Sequence, residues 1–252
     1  MSQPAVLITG AATRIGHAIA ERFSAGGWHV VIHYHQNRAE AESLAETMDS
    51  CELIGFDLAD TERALAAVDD LAARLPDWRA LICNASLFIP DWPEQPDAAS
   101  WDRIEAVNLR GNIQLAARFL ARAKSEVGRR LVNLLDQKLA NLNPDFFSYT
   151  VSKAGLAAAG QMLALAREGS ADRVYGLAPG LTLPSHDQTE AEFAQSASMN
   201  LLRRINQPSD IAEAAWFLVT GPVANGTTLL VDSGQHLVRQ KRDVMYMVRQ
   251  AG

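Results

Sequence analysis

The stretch Ala5-Val6-Leu7-Ile8-Thr9-Gly10-Ala11-Ala12-Thr13-Arg14-Ile15-Gly16 decides the fold class. Its apolar run predicts a strand over residues 5–9, and helical periodicity begins at about Arg14 and continues to residue 25. Gly10 permits the tight turn between these two elements, and Gly16 permits close packing or backbone approach. A helix that opens directly after a strand offers free N–H groups to a phosphate. Gly10, Arg14, Ile15 and Gly16 are therefore predicted to hold a phosphate-bearing cofactor.

The turn departs from the common nucleotide-binding spacing. Its glycines do not form G-x-G-x-x-G, and Arg14 stands where a glycine is expected. An arginine at this place can pair with a phosphate through two hydrogen bonds. The alternative is an ordinary strand-to-helix turn with a solvated arginine.

Strand-like and helix-like patterns alternate along the rest of the chain. Further strands are predicted at 29–32, 53–56, 80–83, 131–135, 174–178 and 228–231, and helices at 39–48, 61–75, 101–124, 149–167 and 208–219. Such alternation predicts an α/β fold whose parallel sheet is covered on both faces. No break in composition divides the chain, so residues 1–252 are predicted to form a single domain. The irregular stretch 181–205 is interpreted as a substrate lid.

The composition limits the possible partners. A net charge of −6 gives no support for nucleic-acid binding, which favours a basic surface. The two cysteines, Cys51 and Cys83, lie in apolar strand-like runs and lack metal-ligand spacing, which predicts buried, reduced thiols. No apolar run reaches membrane-spanning length and no secretory signal is visible, so a cytoplasmic protein without membrane partners is expected.

The end of the second strand indicates which nicotinamide cofactor would fit. The sequence there is His33-Tyr34-His35-Gln36-Asn37-Arg38, with no acidic residue before Glu40. A site for NAD needs an acidic side chain that accepts from the ribose 2′-hydroxyl. Its absence favours NADP(H), with Arg14 and Arg38 as countercharges to the 2′-phosphate. The His-x-His pair has no third ligand nearby, so no metal site is predicted.

Asp57 and Leu58 follow the third predicted strand. Their place at the carboxyl end of the sheet suits a contact with the adenine of the cofactor. An N-cap for the following helix explains the aspartate equally well.

Tyr149 and Lys153 form a Y-x-x-x-K pair. On a helix the two side chains lie on one face, one turn apart. A nearby ammonium favours the phenolate and is expected to lower the pKa of Tyr149 toward neutrality, which would make the phenol a tuned proton donor. The pair alone is a weak signal, because a solvated helix face produces the same spacing.

Several motifs in a fixed order resemble the short-chain dehydrogenase/reductase family over nearly the whole chain. They are T-G-x-x-x-R-I-G at 9–16, N-A-S at 84–86, V-N-L around Asn108, Y-x-x-x-K, Pro179-Gly180 and V-D-S-G at 231–234. The resemblance implies a single-domain Rossmann fold, with a doubly wound parallel sheet of about seven strands and helices on both faces. It also implies a nicotinamide cofactor and a homotetramer. We expect the subunits to associate through the helices near 101–124 and 149–167. A small-residue run at 154–159 fits that interface, although a tightly packed monomer core gives the same pattern.

One position distinguishes this chain within the family. Most members carry a serine thirteen residues before the tyrosine, whereas this chain has Asp136 there. In this it resembles the pteridine reductase branch, which also has an aspartate followed by the tyrosine and the lysine. That branch, which includes dihydromonapterin/dihydrofolate reductases, is also similar in Arg14, H-Y-H at 33–35, N-A-S-L-F at 84–88 and P-G-L-T at 179–182. Gln36, where a basic residue is frequent in the branch, and the stretch 181–205 depart from it.

This resemblance implies a pterin-like small-molecule substrate, reduced at a C=N bond by hydride transfer. Tyr149 would donate or relay the proton, with Asp136 assisting. Lys153 would hold the nicotinamide ribose, and Asn108 would organise a water chain to it. The implied cofactor residues are Gly10, Arg14, Ile15, Gly16, His33, Tyr34, His35, Asn37, Asp57, Leu58, Asn84, Ala85, Ser86, Tyr149, Lys153, Pro179, Gly180 and Thr182. The implied substrate residues are Ser86, Phe88, Asp136, Tyr149 and Leu181.

Several alternatives stay open from the sequence. Phe88 is either a stacking partner for a flat ring or a core aromatic. The enzyme is either a pterin reductase or a carbonyl reductase in which Asp136 only accepts a hydrogen bond. A non-catalytic dinucleotide-binding protein on the same fold is the third possibility. The tail at 236–252 either covers the site of a neighbouring subunit or is disordered.

Overall fold

The protein is built on one seven-stranded parallel sheet. A computed structural model describes residues 2–185 and 187–251, and side chains up to residue 249. The strands are β1 Ala5–Ile8, β2 His29–Tyr34, β3 Cys51–Gly55, β4 Trp78–Cys83, β5 Arg130–Leu134, β6 Arg173–Pro179 and β7 Thr228–Val231. Their order across the sheet is β3-β2-β1-β4-β5-β6-β7, and every neighbouring pair is parallel. The predicted α/β fold with a doubly wound sheet is confirmed.

The first strand shows why its residues lie in the middle of the sheet. Val6 and Ile8 face one apolar cluster, whereas Ala5 and Leu7 face the other, and all four side chains are buried. Successive strand residues point to opposite faces, so a strand that is apolar at every position suits a sheet covered on both sides. Val6 pairs in register with Val30 of β2 and with Ala80 of β4.

Helices cover both faces of the sheet. They are α1 Arg14–Ala25, α2 Arg38–Ala45, α3 Thr61–Arg74, α4 Ala98–Ile104, α5 Asn112–Arg122, α6 Phe147–Leu165, α7 Glu190–Ala197, α8 Pro208–Thr220 and α9 Val244–Ala251. Helices α1 and α8 pack together over one face, and α3 and α5 pack together over the other. Within the described ranges, none of the helices has the length and hydropathy that crossing a membrane requires.

The predicted helix at 101–124 is interrupted. A π-helical segment, Glu105–Gly111, separates α4 from α5. The widened turn is stabilised by Asn112, whose side-chain amide donates to the carbonyl oxygens of Val107 and Asn108, both at 3.1 Å. Such single-turn insertions change where a helical side chain points and are frequent near functional sites.

Two helices lie where the sequence analysis predicted irregular chain. Helix α7 falls within residues 181–205 and begins with a capping box formed by Thr189 and Glu192. Helix α9 forms half of the described tail and packs against α7 of the same chain. The suggestion of a disordered tail was therefore wrong. His186 of the stretch 181–205 and Gly252 of the tail lie outside the described residues.

The order of the strands fixes where a ligand binds. Connections from β1 lead outward to β2 and β3 on one side, whereas β4 starts the other half of the sheet next to β1. Loops that leave the carboxyl ends of β1 and β4 diverge to opposite faces, and the gap between them is the usual ligand site of such sheets.

Candidate active site

A cavity of about 510 Å³ opens at the carboxyl ends of β1 and β4. Most of the residues predicted for cofactor and substrate line it. They are Gly10, Arg14, Ile15, Gly16, His33, Tyr34, His35, Asn37, Asp57, Leu58, Asn84, Ala85, Ser86, Phe88, Asp136, Tyr149, Gly180, Leu181 and Thr182. Asn108, Lys153 and Pro179 are not among the lining residues. The residues predicted from the sequence therefore form one continuous cavity surface, except for Asn108, Lys153 and Pro179, which do not line it.

The turn between β1 and α1 has the geometry that its glycines require. Gly10 adopts a left-handed φ of +64°. A Cβ at Gly16 would lie 2.2 Å from the carbonyl oxygen of Gly10, so only glycine fits there. Thr13 precedes α1 without a side-chain cap, which leaves the first N–H groups of the helix available to a ligand.

Arg14 enters the helix through a strained conformation. Its φ is +58°, a region that non-glycine residues rarely occupy and that costs on the order of 1 kcal/mol or more. The exposed guanidinium donates to the carbonyl oxygen of Pro184 at 3.1 Å. Arg14 therefore links the phosphate turn to the stretch 181–205 across the mouth of the cavity.

Asn84 and Thr9 hold the two halves of the site together. The Asn84 side chain donates to the carbonyl oxygens of Thr9 and Gly10, at 2.8 and 3.1 Å. The hydroxyl of Thr9 accepts from the backbone N–H groups of Asn84 and Ala85. The N-A-S motif thus positions the turn, while the exposed Ser86 side chain lines the cavity.

His33 is a structural member of the site. Its Nδ1 accepts from the Gly10 N–H at 3.1 Å, so the proton is on Nε2, which lies 3.0 Å from the Phe56 carbonyl oxygen. Burial lowers the pKa of His33 to about 4, and the hydrogen bond to Phe56 opposes that shift. Neutral His33 therefore fixes the phosphate turn onto the ends of β2 and β3.

His33 makes stability depend on pH. Between its ordinary pKa of 6.5 and the folded pKa of about 4, the unfolded chain binds a proton that the folded chain does not. The free energy of unfolding should therefore fall as pH falls through this window, by up to about 3 kcal/mol. Urea denaturation of wild type and His33→Asn at pH 7 and pH 4.5 measures this contribution. The advantage of wild type over the variant should shrink at pH 4.5, and an advantage independent of pH would contradict the assignment.

The far end of the cavity carries a mixed set of charges. Asp57 accepts from Arg103 at 2.8 Å and lies 3.7 Å from His35. Asp57 also bonds to the Ala59 N–H, whereas Asp60 caps α3, so the proposed capping role of Asp57 was wrong. Arg38, expected to serve as a countercharge, instead pairs with Glu42 on exposed helix α2 and does not line the cavity.

Tyr149 and Asp136 meet at the inner end of the cavity. The Tyr149 hydroxyl donates to Oδ2 of Asp136 at 2.8 Å. Oδ1 of Asp136 accepts from the Lys138 N–H at 2.8 Å, which fixes the carboxyl group at the start of a short 3₁₀ turn, Gln137–Ala140. The pair is thus held by backbone on both β5 and α6.

Burial and the neighbouring Asp136 raise the pKa of Tyr149 well above its ordinary value of 10. The prediction that Lys153 lowers this pKa was wrong. Nζ of Lys153 lies 5.7 Å from the centre of the Tyr149 ring, whereas the Asp136 carboxyl group bonds directly to the hydroxyl. The phenol is therefore kept protonated, as a proton donor must be before it acts.

Lys153 lies behind Tyr149 on α6. Its Nζ donates to the Leu134 carbonyl oxygen at 2.6 Å, and only 2% of the residue is exposed. Burial lowers its pKa to about 8, and Asp136 opposes that shift. A group with this pKa is still mostly charged at neutral pH and places a positive charge beneath the inner end of the cavity.

Asn108 binds the backbone of the β4 loop. Its Oδ1 accepts from the Leu87 N–H at 2.7 Å, and its Nδ2 donates to the Leu87 carbonyl oxygen at 2.8 Å and lies 3.3 Å from the Ser152 hydroxyl. Among the described residues, none of its hydrogen bonds goes to Lys153. The buried amide therefore positions the loop that carries Phe88, and the water chain from Asn108 to Lys153 stays a prediction.

Phe88 belongs to an aromatic cluster at the cavity wall. Its ring stacks on Phe146 at 4.0 Å between centroids and meets Tyr149 edge-on at 4.7 Å. Phe146 directly precedes α6 with a left-handed φ of +53° and is buried. Met245 and Tyr246 of the tail complete the cluster. Phe88 is thus a packed aromatic that also lines the cavity.

Several lining residues were not predicted from the sequence. They are Gln137, Lys138, Gln188, Gln235, Asp243, Val244, Met245 and Arg103. Asp243 and its neighbours belong to the tail. The only sequence signal for a buried position there is the mixture of charged and apolar residues in that segment. In the described parts of the chain, no group of three or more His, Cys, Asp or Glu side chains could hold a metal ion.

Comparison with known proteins identifies the family. A family model described as enoyl-(acyl carrier protein) reductase matches residues 10–236. The chain belongs to the short-chain dehydrogenase/reductase family. The predicted family is therefore confirmed, and with it an oxidoreductase.

Three relatives illustrate the similarity. FolM alternative dihydrofolate reductase 1 from Brucella canis, solved in complex with NADP, is 34% identical, with a TM-score of 0.87 and coverage of 95% of this chain and 96% of that one. Pteridine reductase 1 from Leishmania tarentolae is 26% identical and covers 94% of this chain and 97% of its own length. 3beta-hydroxysteroid dehydrogenase 1 from Eggerthella lenta is 29% identical, with coverage of 92% and 93%.

Proposed function

We propose that this family member uses NADPH to reduce a C=N bond in a dihydropterin-like ring. The single observation that carries the proposal is the hydrogen bond of 2.8 Å from Tyr149 to Asp136 at the inner end of the cavity. Imine reduction leaves a nitrogen that must take up a proton. A phenol and a carboxyl group in contact can supply it directly or through water. The similarity to reductases named for dihydrofolate and pteridine supports the same substrate class.

The cavity suits NADP(H). The uncapped N-terminus of α1 and the close approach of Gly10 to Gly16 can hold the pyrophosphate. No acidic side chain ends β2, where His35 and Asn37 line the cavity next to the position of a ribose 2′-phosphate. When bound, the cofactor supplies the hydride. Lys153 would hold a positive charge below the nicotinamide ribose, and Leu58, Gly180 and Thr182 would close around the dinucleotide.

The substrate would lie between the cofactor and the aromatic cluster. Phe88 presents the ring surface that is not covered by Phe146, and a flat heterocycle stacked there would gain about 1 kcal/mol beyond burial. Ser86 and Leu181 also line the cavity. The stretch 181–205, tied to Arg14 through Pro184, would serve as the lid.

An assay of NADPH oxidation tests this function. The wild-type protein is mixed with a 7,8-dihydropterin, with dihydrofolate, and with simple ketones and aldehydes, and absorbance of the reduced nicotinamide is followed. Turnover with a dihydropterin or dihydrofolate supports the proposal. Turnover with carbonyl compounds only would instead establish a carbonyl reductase, an activity that the hydroxysteroid dehydrogenase relative suggests. Cofactor binding without turnover of any substrate would establish a dinucleotide-binding protein.

We also propose a homotetramer that buries α6. An apolar stripe of exposed residues follows one face of this helix at Val151, Ala154, Ala158, Met162 and Leu165. Met162 and Leu165 are 69% and 77% exposed, which is unusual for side chains of this size in a monomer. The pattern fits a self-complementary interface about a two-fold axis.

Substituting both Met162 and Leu165 with glutamate should dissociate the assembly. Like charges would face each other across the two-fold axis and lose their hydration, so the charged variant should elute as a smaller species. Size-exclusion chromatography with light scattering measures both masses. Glu168→Gln, an exposed change at the end of the same helix, is the control. A wild-type protein that is already monomeric would contradict the assembly.

A further inference from the structure

The tail brings an acidic residue into the cavity. Asp243, Val244 and Met245 line it, although they lie outside the motifs of the family. On one side the tail is held by Arg242, whose Nε lies 2.9 Å from both carboxyl oxygens of buried Asp145. On the other side Arg249 bonds to Asp187 and Glu192, at 3.0 and 2.9 Å. The segment between these anchors is therefore fixed against the cavity.

Asp243 has acceptor capacity that the protein does not use. Its Oδ1 accepts from the Met245 N–H at 3.1 Å. Among the described residues, no hydrogen-bond donor reaches Oδ2, and Nζ of Lys138 lies 3.7 Å away, beyond hydrogen-bond distance. The short contact of Lys138 goes instead to the Asp145 carbonyl oxygen. Oδ2 of Asp243 is thus ion-paired with Lys138 but accepts no hydrogen bond from the described residues, which leaves acceptor capacity for a ligand, and the side chain keeps 22% of its surface exposed.

Gln137 provides a second, independent indication of a ligand. It lines the same cavity and is only 7% exposed. Its Oε1 is buried, and within the described parts of the chain it has no hydrogen-bond donor. A buried carbonyl oxygen without a donor is unfavourable, and a rotation of the Gln137 side chain toward the cavity would let an N–H group of a ligand satisfy it.

The charges around these acceptors favour a donor-rich ligand. Two carboxylates, Asp136 and Asp243, lie near the ammonium groups of Lys138 and Lys153, and Asp145 is balanced by Arg242. A ring edge with adjacent N–H groups would be attracted, because each hydrogen bond to a carboxylate is strengthened by its charge.

We propose that Asp243 and Gln137 form an acceptor wall, which recognises the adjacent N–H groups of an amino-pyrimidine ring in the substrate. The inference rests on the proposed function, since a dihydropterin carries such an edge. It assigns to the tail the choice of substrate, whereas the hydride and proton are handled at Tyr149 and Asp136.

A simpler role for Asp243 is to cap α9, which begins at Val244. Asparagine caps helices as well as aspartate does, so Asp243→Asn preserves the cap and removes only the charge. A purely structural role predicts no effect of this substitution on the reaction. The variant therefore separates the two roles without unfolding the tail.

The experiment compares wild type with Asp243→Asn in the complete chain. The KM for a 7,8-dihydropterin should rise by about 10- to 100-fold, with little change in kcat, in the Kd for NADPH or in the melting temperature. The comparison substrate is 7,8-dihydrolumazine, which has an oxygen in place of the 2-amino group. Its KM should not rise in the variant. Asp49→Asn, the same chemical change at an exposed residue outside the cavity lining, is the matched control and should behave as wild type.

A KM for the dihydropterin within about twofold of wild type, at an unchanged melting temperature, would overturn the inference. An equal rise in KM for both substrates would also overturn it, because that result indicates a general distortion.

If Asp243→Asn does not fold, Gln137→Met decides the question by the same measurements. If the wild type reduces no dihydropterin, the proposed function fails. Calorimetric titration of the NADP complex with 2,4-diaminopyrimidine then tests the acceptor wall, and equal affinity in wild type and Asp243→Asn refutes it.

Discussion

Substituting Tyr149 with phenylalanine is expected to lower kcat for dihydropterin reduction by about a thousandfold. The variant loses the protonated hydroxyl that bonds to Asp136, and with it the proton donor at the inner end of the cavity. The ring itself stays packed edge-on against Phe88, so the fold and the Kd for NADPH should change little. Single-turnover reduction monitored by nicotinamide absorbance measures the effect.

The chain offers a matched control for this substitution. Tyr246 belongs to the same aromatic cluster, but its hydroxyl forms no hydrogen bond to Asp136. Tyr246→Phe should therefore keep kcat within about threefold of wild type, as expected for a change away from the reacting groups. If Tyr149→Phe retained a tenth or more of the wild-type kcat, the phenol would not be the proton donor.

Asp136→Ser should lower kcat/KM for the dihydropterin by about a hundredfold, because a hydroxyl cannot supply a proton as a carboxyl group does. Serine can still cap the 3₁₀ turn by accepting from the Lys138 N–H. Removing the carboxylate also removes one cause of the raised pKa of Tyr149, so that pKa should fall. Steady-state kinetics measure the loss of kcat/KM, and the alkaline limb of the pH–rate profile, which should move to lower pH in the variant, records the fall in the pKa of Tyr149.

Asp136→Asn separates the two contributions of the carboxyl group. Its amide oxygen still accepts a hydrogen bond from Tyr149, but the amide cannot take up a proton and pass it on as a carboxylate can. The asparagine and serine variants should therefore lose pterin reduction to a similar extent while their Kd for NADPH stays near that of wild type. Equal losses in catalysis and in cofactor binding would show that Asp136 serves the cofactor site instead.

The fold was predictable because its signals are local. The residues of β1 are apolar on both faces, and Gly10 and Gly16 mark the turn that follows. These features depend on neighbours a few positions away, so sequence periodicity records them. The π-helical segment was missed because its stabilising hydrogen bonds, from Asn112 to Val107 and Asn108, arise from the widened turn itself.

The site was predictable in its residue types and less so in its electrostatics. Tyr149, Lys153 and Asp136 were identified, yet the direction of the Tyr149 pKa shift was not. That direction depends on which charged group touches the hydroxyl, and a spacing of four residues along a helix does not determine it. Asp243 was missed for a similar reason. Its position depends on the bond between its neighbour Arg242 and Asp145, which lies far away in the sequence.

The placement of α9 has an evolutionary consequence. The span matched by the family model ends at residue 236, whereas Asp243, Val244 and Met245 lie beyond it. On the proposed role of Asp243, short changes in the segment after residue 236 would alter substrate preference, whereas Tyr149 and Asp136 lie within the matched span. Paralogues that share the phenol and carboxyl group but differ in this extension would be expected to process different heterocycles.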